Sequence, residues 1–149
     1  MDIYQTVNDV LVRLFNQILD VEEKALITGE FKDVSVNDMH IIESIGLEEG
    51  NNMSTIAKKL NITVGSLTTS MNSLVNKGYA VRKRSQSDRR VVIIQLTEKG
   101  VRAYNEHARF HASMTENTIQ KIKEEEMPVL LKLLTVLTAF FDNYHENVK

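Results

Sequence analysis

The stretch from Ser54 to Leu96 constrains what this chain can fold into more than any other. Ser54 reads as the N-cap of a short helix, Thr55 to Leu60, which is followed by the Asn61-Ile62 turn. Thr63 reads as the cap of a second helix running from Val64 to about Lys77, and Gly78 ends it. Two β-branched runs follow, Tyr79 to Arg84 and Val91 to Leu96, separated by the polar loop Ser85-Gln86-Ser87-Asp88-Arg89-Arg90, which suits a hairpin tip. Helix, tight turn, helix and arginine-tipped hairpin in this order predict a winged helix-turn-helix, and that layout predicts DNA binding.

The second helix carries most of the information. At about 100° per residue, Val64, Leu67, Met71, Leu74 and Val75 fall on one side and Gly65, Thr69, Asn72, Ser73 and Asn76 on the other, with Ser66 and Thr68 on the flanks. An ordinary surface helix would carry Lys and Glu there, because Ser, Thr, Asn and Gly are poor helix formers. Small polar side chains instead suit close contact with base edges and phosphates, and Gly65 permits near approach of backbone. Taken alone, the same face also reads as a weak surface helix, and the arginine loop as a solvated turn. Side by side they read as one surface, since arginine suits both phosphates and a narrow minor groove.

Net charge is −2, which does not suggest a nucleic-acid partner until its placement is considered. Between Met53 and Arg90 eight Lys/Arg face a single acid, Asp88, so this segment carries +7 and its flanks −9. Screening confines a charge's influence to about 8–10 Å, so the local sign governs phosphate binding. The absence of cysteine removes disulfides, thiolate catalysis and cysteine-ligated zinc. With no apolar run near the ~20 residues that span a bilayer and no signal-type start, no membrane role is expected and the cytoplasm is the expected compartment.

The flanks are helical. Ile3, Val7, Val10, Leu11, Leu14, Phe15, Ile18 and Leu19 recur at helical spacing from Asp2 to about Ile27, ending at Thr28-Gly29. Ser35-Val36-Asn37-Asp38 resembles a capping box and opens a helix with Met39, Ile41, Ile42, Ile45 and Leu47, closed by Gly46 and Gly50-Asn51-Asn52. Thr97 caps a long helix reaching about Lys123, and Glu124-Glu125-Glu126 opens a last, strongly apolar one containing Pro128 in its first turn. Apolar stripes at both ends of a small chain predict a homodimer whose two-fold axis would present two reading helices to a palindrome. The expected organisation is a helical dimerisation region at 1–30 and 101–149 around a DNA-binding lobe at 31–100.

Ser85, Asp88, Arg89 and Arg90, followed by Leu96-Thr97-Glu98-Lys99-Gly100, resemble the signature of the MarR family of bacterial winged-helix transcription regulators. The resemblance covers essentially the whole length. It implies that Arg90, with Arg89 beside it, sits at the wing tip, that Asp88 holds a wing arginine, and that Ser66, Thr68, Thr69 and Asn72 meet the major groove. The expected DNA contacts are these together with Ser54, Thr63, Lys77, Arg82 and Arg84. Within the family, Phe31-Lys32-Asp33-Val34-Ser35, Asp38-Met39-His40, Gly65-x-Leu67-Thr68-Thr69-Ser70, Ser87-Asp88-Arg89-Arg90-Val91-Val92 and Glu124-Glu125-Glu126-Met127 are similar to repressors of fatty-acid synthesis genes. That branch implies a long-chain acyl-acyl-carrier-protein co-repressor, with Phe15, Ile18, Met39, Ile42, Phe110 and Met114 as candidates for an acyl-chain pocket, or else simply as core. A phenolic-type small-molecule sensor is a further alternative.

His107 and His111 are four apart and share a helix face, so two imidazoles, with His40 and a carboxylate such as Glu22 or Glu106, could ligate zinc. Zinc-responsive members of the family look similar there. A histidine pair of this spacing also occurs without metal. No nucleophile, base and orienting group, phosphate loop or carboxylate pair can be assembled from the sequence, so no enzyme is expected.

Overall fold

The structure, a computed structural model, describes residues 2–147 and all of their side chains except those of residues 27, 28 and 145. The chain divides into two compact units, residues 1–107 and 108–149. This division follows contacts within one chain, whereas the grouping expected at residues 30 and 101 rests on the expectation of a second copy.

Helix α1 (Ile3–Thr28) begins where the Asp2 carboxylate accepts the Tyr4 N–H at 3.0 Å. Helix α2 (Val36–Ile45) starts at the capping box read from the sequence: the Ser35 hydroxyl accepts the Asp38 N–H at 3.0 Å and Asp38 accepts the Ser35 N–H at 3.1 Å. Strand β1 (Asn51–Asn52) leads directly into α3 (Met53–Leu60). The cap of α3 is Asn52, whose side chain accepts the Thr55 N–H at 2.8 Å, and not Ser54, which lies within the first turn. Both residue types cap well; Asn52 wins because its backbone is already extended by pairing with Ile93.

Asn61 takes the left-handed conformation at φ 54° and turns the chain into α4 (Val64–Asn76), capped by Thr63. Gly78, at φ 85°, ends α4 in a Schellman motif, with the Tyr79 N–H reaching the Leu74 carbonyl at 3.0 Å. Strands β2 (Ala80–Arg84) and β3 (Val92–Leu96) pair antiparallel, with Ala80 opposite Leu96 and Arg84 opposite Val92. The sheet has three strands in the order β1-β3-β2, one more than the expected hairpin. The extra strand requires Gly50, where a Cβ would collide with the Ile94 carbonyl and the Ile93 side chain.

Ile41, Ile42, Ile45, Ile56, Leu67, Met71, Leu74, Tyr79 and Ile94 form the buried core of the first unit. Leu67, Met71 and Leu74 confirm the apolar side of α4, whereas Val64, at its open first turn, is exposed. Helix α5 (Glu98–Ile119) is opened by Thr97, whose hydroxyl accepts the Gly100 N–H at 3.1 Å, and it ends four residues before the expected Lys123. Beyond it in the second unit come a 3-10 turn (Glu124–Glu126) and α6 (Met127–Asn147). Both α1 and α6 expose apolar side chains, among them Val7, Leu14 and Leu19 on the first and Val129, Leu131, Phe140 and Tyr144 on the second. No helix among the described residues is long and apolar enough to cross a membrane.

Tyr79 ties the first unit together. Its hydroxyl donates to Asp33 at 2.5 Å, its ring meets Phe31 edge-on at 6.1 Å, and the Lys99 ammonium lies 4.4 Å above it. Its carbonyl accepts the Thr97 N–H at 3.0 Å and touches Gly100, where a Cβ would collide with that oxygen. Burial, then the Asp33 bond and carboxylate, raise the Tyr79 hydroxyl above its ordinary value of 10.0. A titration raised by folding stabilises fully below that ordinary value and loses its contribution as pH rises above it. Replacing Tyr79→Phe should cost about 0.5–1.5 kcal/mol at neutral pH. The variant should also lose part of the wild type's fall in urea midpoint above pH 10. Identical alkaline limbs for the two proteins would refute this account.

Candidate nucleic-acid interface

The outward face of α4 is built as its sequence predicts, with Ser66, Thr68, Thr69, Asn72 and Asn76 exposed over the buried Leu67, Met71 and Leu74. The Thr63 hydroxyl accepts the Ser66 N–H at 3.1 Å and lies 3.0 Å from the Ser66 hydroxyl, to which it donates. Thr68 donates its hydroxyl back to the Val64 carbonyl at 2.7 Å. Gly65 has no positive φ, and a Cβ there would meet only the Thr63 hydroxyl, at 3.9 Å. Nothing in the fold requires glycine at this helical position, where it costs about 0.5–1 kcal/mol relative to Ala.

Beyond β2 the wing tip is braced from within. The Asp88 carboxylate accepts from Arg90 Nε at 3.1 Å and Nη2 at 3.3 Å, and also from the Arg90 backbone N–H at 3.1 Å. These bonds, the side-chain one foremost, hold the Asp88 carboxyl below its ordinary range. Arg84 donates to the Arg89 carbonyl at 2.8 Å, and the Ser85 N–H to the Val91 carbonyl at 2.9 Å. Arg90 remains 91% exposed at its side chain. The tip thus presents guanidinium groups on an ordered loop. Arg82, on β2, donates to the Asn72 side-chain oxygen of α4, so wing and helix are linked directly.

One expected DNA contact is placed differently. Lys77 turns inward: its ammonium donates to the Asp33 carbonyl at 2.6 Å and meets the Asp38 carboxylate at 3.4 Å. Lysine's long stem lets the charge fold back over the helix end, which sequence spacing does not register. Met39 and Ile42, read as acyl-pocket residues or else as core, are buried core of the first unit. A cavity of about 410 Å³ beside α2 is lined by other residues, including Leu19, Leu26, Val34 and Val36. Of the remaining candidates, Phe15 and Ile18 lie on α1, and Phe110 and Met114 on the part of α5 in the second unit.

Among the histidine candidates, His107 and Glu22 are both buried, with ligand atoms within 4.8 Å of each other. The His40 ring lies 6.1 Å from the His107 ring, and the Glu43 carboxylate is 3.9 Å from His107 Nε2. His111 follows one turn later on α5, edge-on to Phe110, while Glu106 is exposed. Of the two carboxylates the sequence offers, Glu22 lies near the His107 imidazole, and Glu43 joins it from α2, which histidine spacing does not indicate.

Comparison with known proteins fixes the family. A family model described as the transcriptional regulators SarA and Rot matches residues 27–107. FabT of Streptococcus pneumoniae, solved in complex with DNA, is 42% identical, superposes with a TM-score of 0.87 and covers 95% of this chain and 99% of its own. The chain is a winged-helix transcription regulator of the MarR family. The regulator ZitR of Lactococcus lactis is 33% identical over 106 residues, 68% of this chain and 72% of its own length. With MhqR of Bacillus subtilis, also 33% identical, the match spans 57% of that relative. These are regulators, and the chain is not an enzyme.

The inward Lys77 generates a sharp expectation. Lys77→Ala should lower stability by about 0.5–1 kcal/mol through loss of its pair with the buried Asp38, while leaving the salt dependence of DNA binding unchanged. A salt slope reduced by about one unit would instead make Lys77 a phosphate contact.

Proposed function

We propose that this regulator is a homodimeric, sequence-specific repressor of fatty-acid synthesis genes that binds a palindromic operator in double-stranded DNA, with long-chain acyl-acyl-carrier-protein as co-repressor. The observation that carries the DNA reading is the small polar face of α4 joined through Asn72 and Arg82 to an ordered arginine wing. The likeness to FabT in complex with DNA supports it, and with the motifs that resemble fatty-acid-synthesis repressors it supports the branch. In this reading Ser66, Thr68, Thr69 and Asn72 face the major groove, Arg89 and Arg90 the minor groove or phosphates, and residues 31–100 form the DNA lobe. Residues 1–30 and 101–149 supply the dimer interface, which would cover the apolar side chains now exposed on α1 and α6. The protein would act in the cytoplasm.

Replacing Arg89→Ala together with Arg90→Ala should weaken duplex binding strongly and reduce the salt slope by about two, with the thermal midpoint unchanged. Unchanged affinity would remove the wing from the interface. The effector is tested by titrating an operator duplex with the protein alone, with acyl-loaded carrier protein, with zinc and with a chelator. Tighter binding with acyl-loaded carrier alone supports the co-repressor, and an effect 5- to 150-fold in size would correspond to about 1–3 kcal/mol of coupling.

A second reading, a metal-responsive regulator, is favoured by the buried Glu22 and His107 lying within ligand distance of each other. Carboxylate and imidazole suit zinc, with His40 and His111 as further donors. Binding that tightens with zinc, relaxes with chelator and becomes indifferent in His107→Ala would select this reading over the first.

A further inference from the structure

We propose that Arg82 is a positioning residue that sets which base Asn72 reads: by holding the Asn72 side-chain oxygen, it makes Asn72 a donor and biases the contacted base towards guanine. The inference rests on the reading of α4 as the DNA-facing helix.

Arg82 lies on β2, where its pairing with Ile94 fixes its position along the sheet, and its Nη2 donates to Asn72 Oδ1. A guanidinium carries donors only, so the amide atom that meets it must be the oxygen. The amide nitrogen, with its two hydrogens, is therefore turned away from Arg82. One turn earlier on the same face, Thr68 spends its hydroxyl hydrogen on the Val64 carbonyl at 2.7 Å and is left with lone pairs and a methyl group. The polarity of both side chains is thus fixed before any partner arrives.

An unrestrained asparagine commonly reads adenine by two bonds, donating to N7 and accepting from the N6 amino group. Here the accepting atom is beside a cation, which repels an amino donor and attracts an acceptor. Guanine offers two acceptors, O6 and N7, on its major-groove edge, and these match the outward amide N–H and the neighbouring guanidinium. Arg82 is exposed and on an edge strand, so its removal leaves the buried core untouched.

The test is selection from a randomised duplex library by the wild type, Asn72→Ala, Arg82→Ala and Asn72→Asp, with each enriched site then titrated. The position that loses its preference in Asn72→Ala is the one Asn72 reads. There the wild type should prefer guanine, and Arg82→Ala should shift that preference towards adenine by about fivefold or more, the size of one discriminating contact. Asn72→Asp keeps an acceptor for Arg82 but has no donor to offer, and it should lose the guanine preference while melting like the wild type. A wild-type preference for adenine at that position, an Arg82→Ala motif identical to the wild type's with uniformly weaker binding and a salt slope lower by about one, or an Asn72→Asp protein that still selects guanine, overturns the inference. A wild-type protein that enriches no sequence overturns the DNA-binding reading, and this inference with it.

Discussion

The junction around Tyr79 is the constraint on which the first unit depends. α4 must stop at a defined residue and in a defined orientation if its outer face and the following strand are to form one surface. Gly78 supplies the left-handed turn, and the Tyr79 N–H closes it onto Leu74 at 3.0 Å. Its carbonyl starts α5 through Thr97, and its hydroxyl, ring and neighbours Lys77 and Lys99 fasten the segment before α2. One residue, through backbone and side chain together, thereby couples the end of α4 to the start of α5 and to the segment before α2. Its polar atom is satisfied by Asp33, whose carboxyl that bond holds below its ordinary range.

This anchoring explains how α4 tolerates an outer face of Ser, Thr, Asn and Gly. Intrinsic propensity is a weak force, a few tenths of a kcal/mol per residue, and packing overrides it. Leu67, Met71 and Leu74 are completely buried, and removing one such side chain typically costs about 2–5 kcal/mol. Caps at Thr63 and Gly78 fix both ends. The helix is therefore held from its inner face and its termini, which releases the outer face to be chosen for what it touches.

The local signals were legible where one residue type has one physical use. Ser35 with Asp38, Thr63, Gly78 and Thr97 act as caps or stops where the sequence places them, and the two β-branched runs pair in the register their lengths allow. Asp88 holding a wing arginine followed from resemblance and is met by Arg90. What the sequence did not reveal depends on partners remote in the chain. A strand of only Asn51 and Asn52 has no period to detect, and it displaced the cap from Ser54 to Asn52. Lys77 stood among the expected DNA contacts, and only groups brought near by folding, the Asp33 carbonyl and the Asp38 carboxylate, turn it inward. Met39 and Ile42 carried no mark separating core from pocket, since apolar side chains serve both alike.

Charge placement shows why a chain of net −2 can still present a basic surface. Several acids meet cations across the first unit: Asp38 takes Lys77, Asp33 draws Lys99, and Glu30 meets Arg102 at 3.1 Å. These acids lie outside residues 53–90 and leave the cations of the wing to Asp88 alone. Asp88 is the exception, since it sits on the wing itself. Its two bonds to Arg90 engage Nε and Nη2, and the rest of the guanidinium's five donors still point elsewhere. A carboxylate there costs some attraction for phosphate but fixes the direction of the group that provides it, and an exposed arginine otherwise surrenders about 2 kcal/mol of rotamer entropy when it is ordered. The wing has exchanged net charge for geometry.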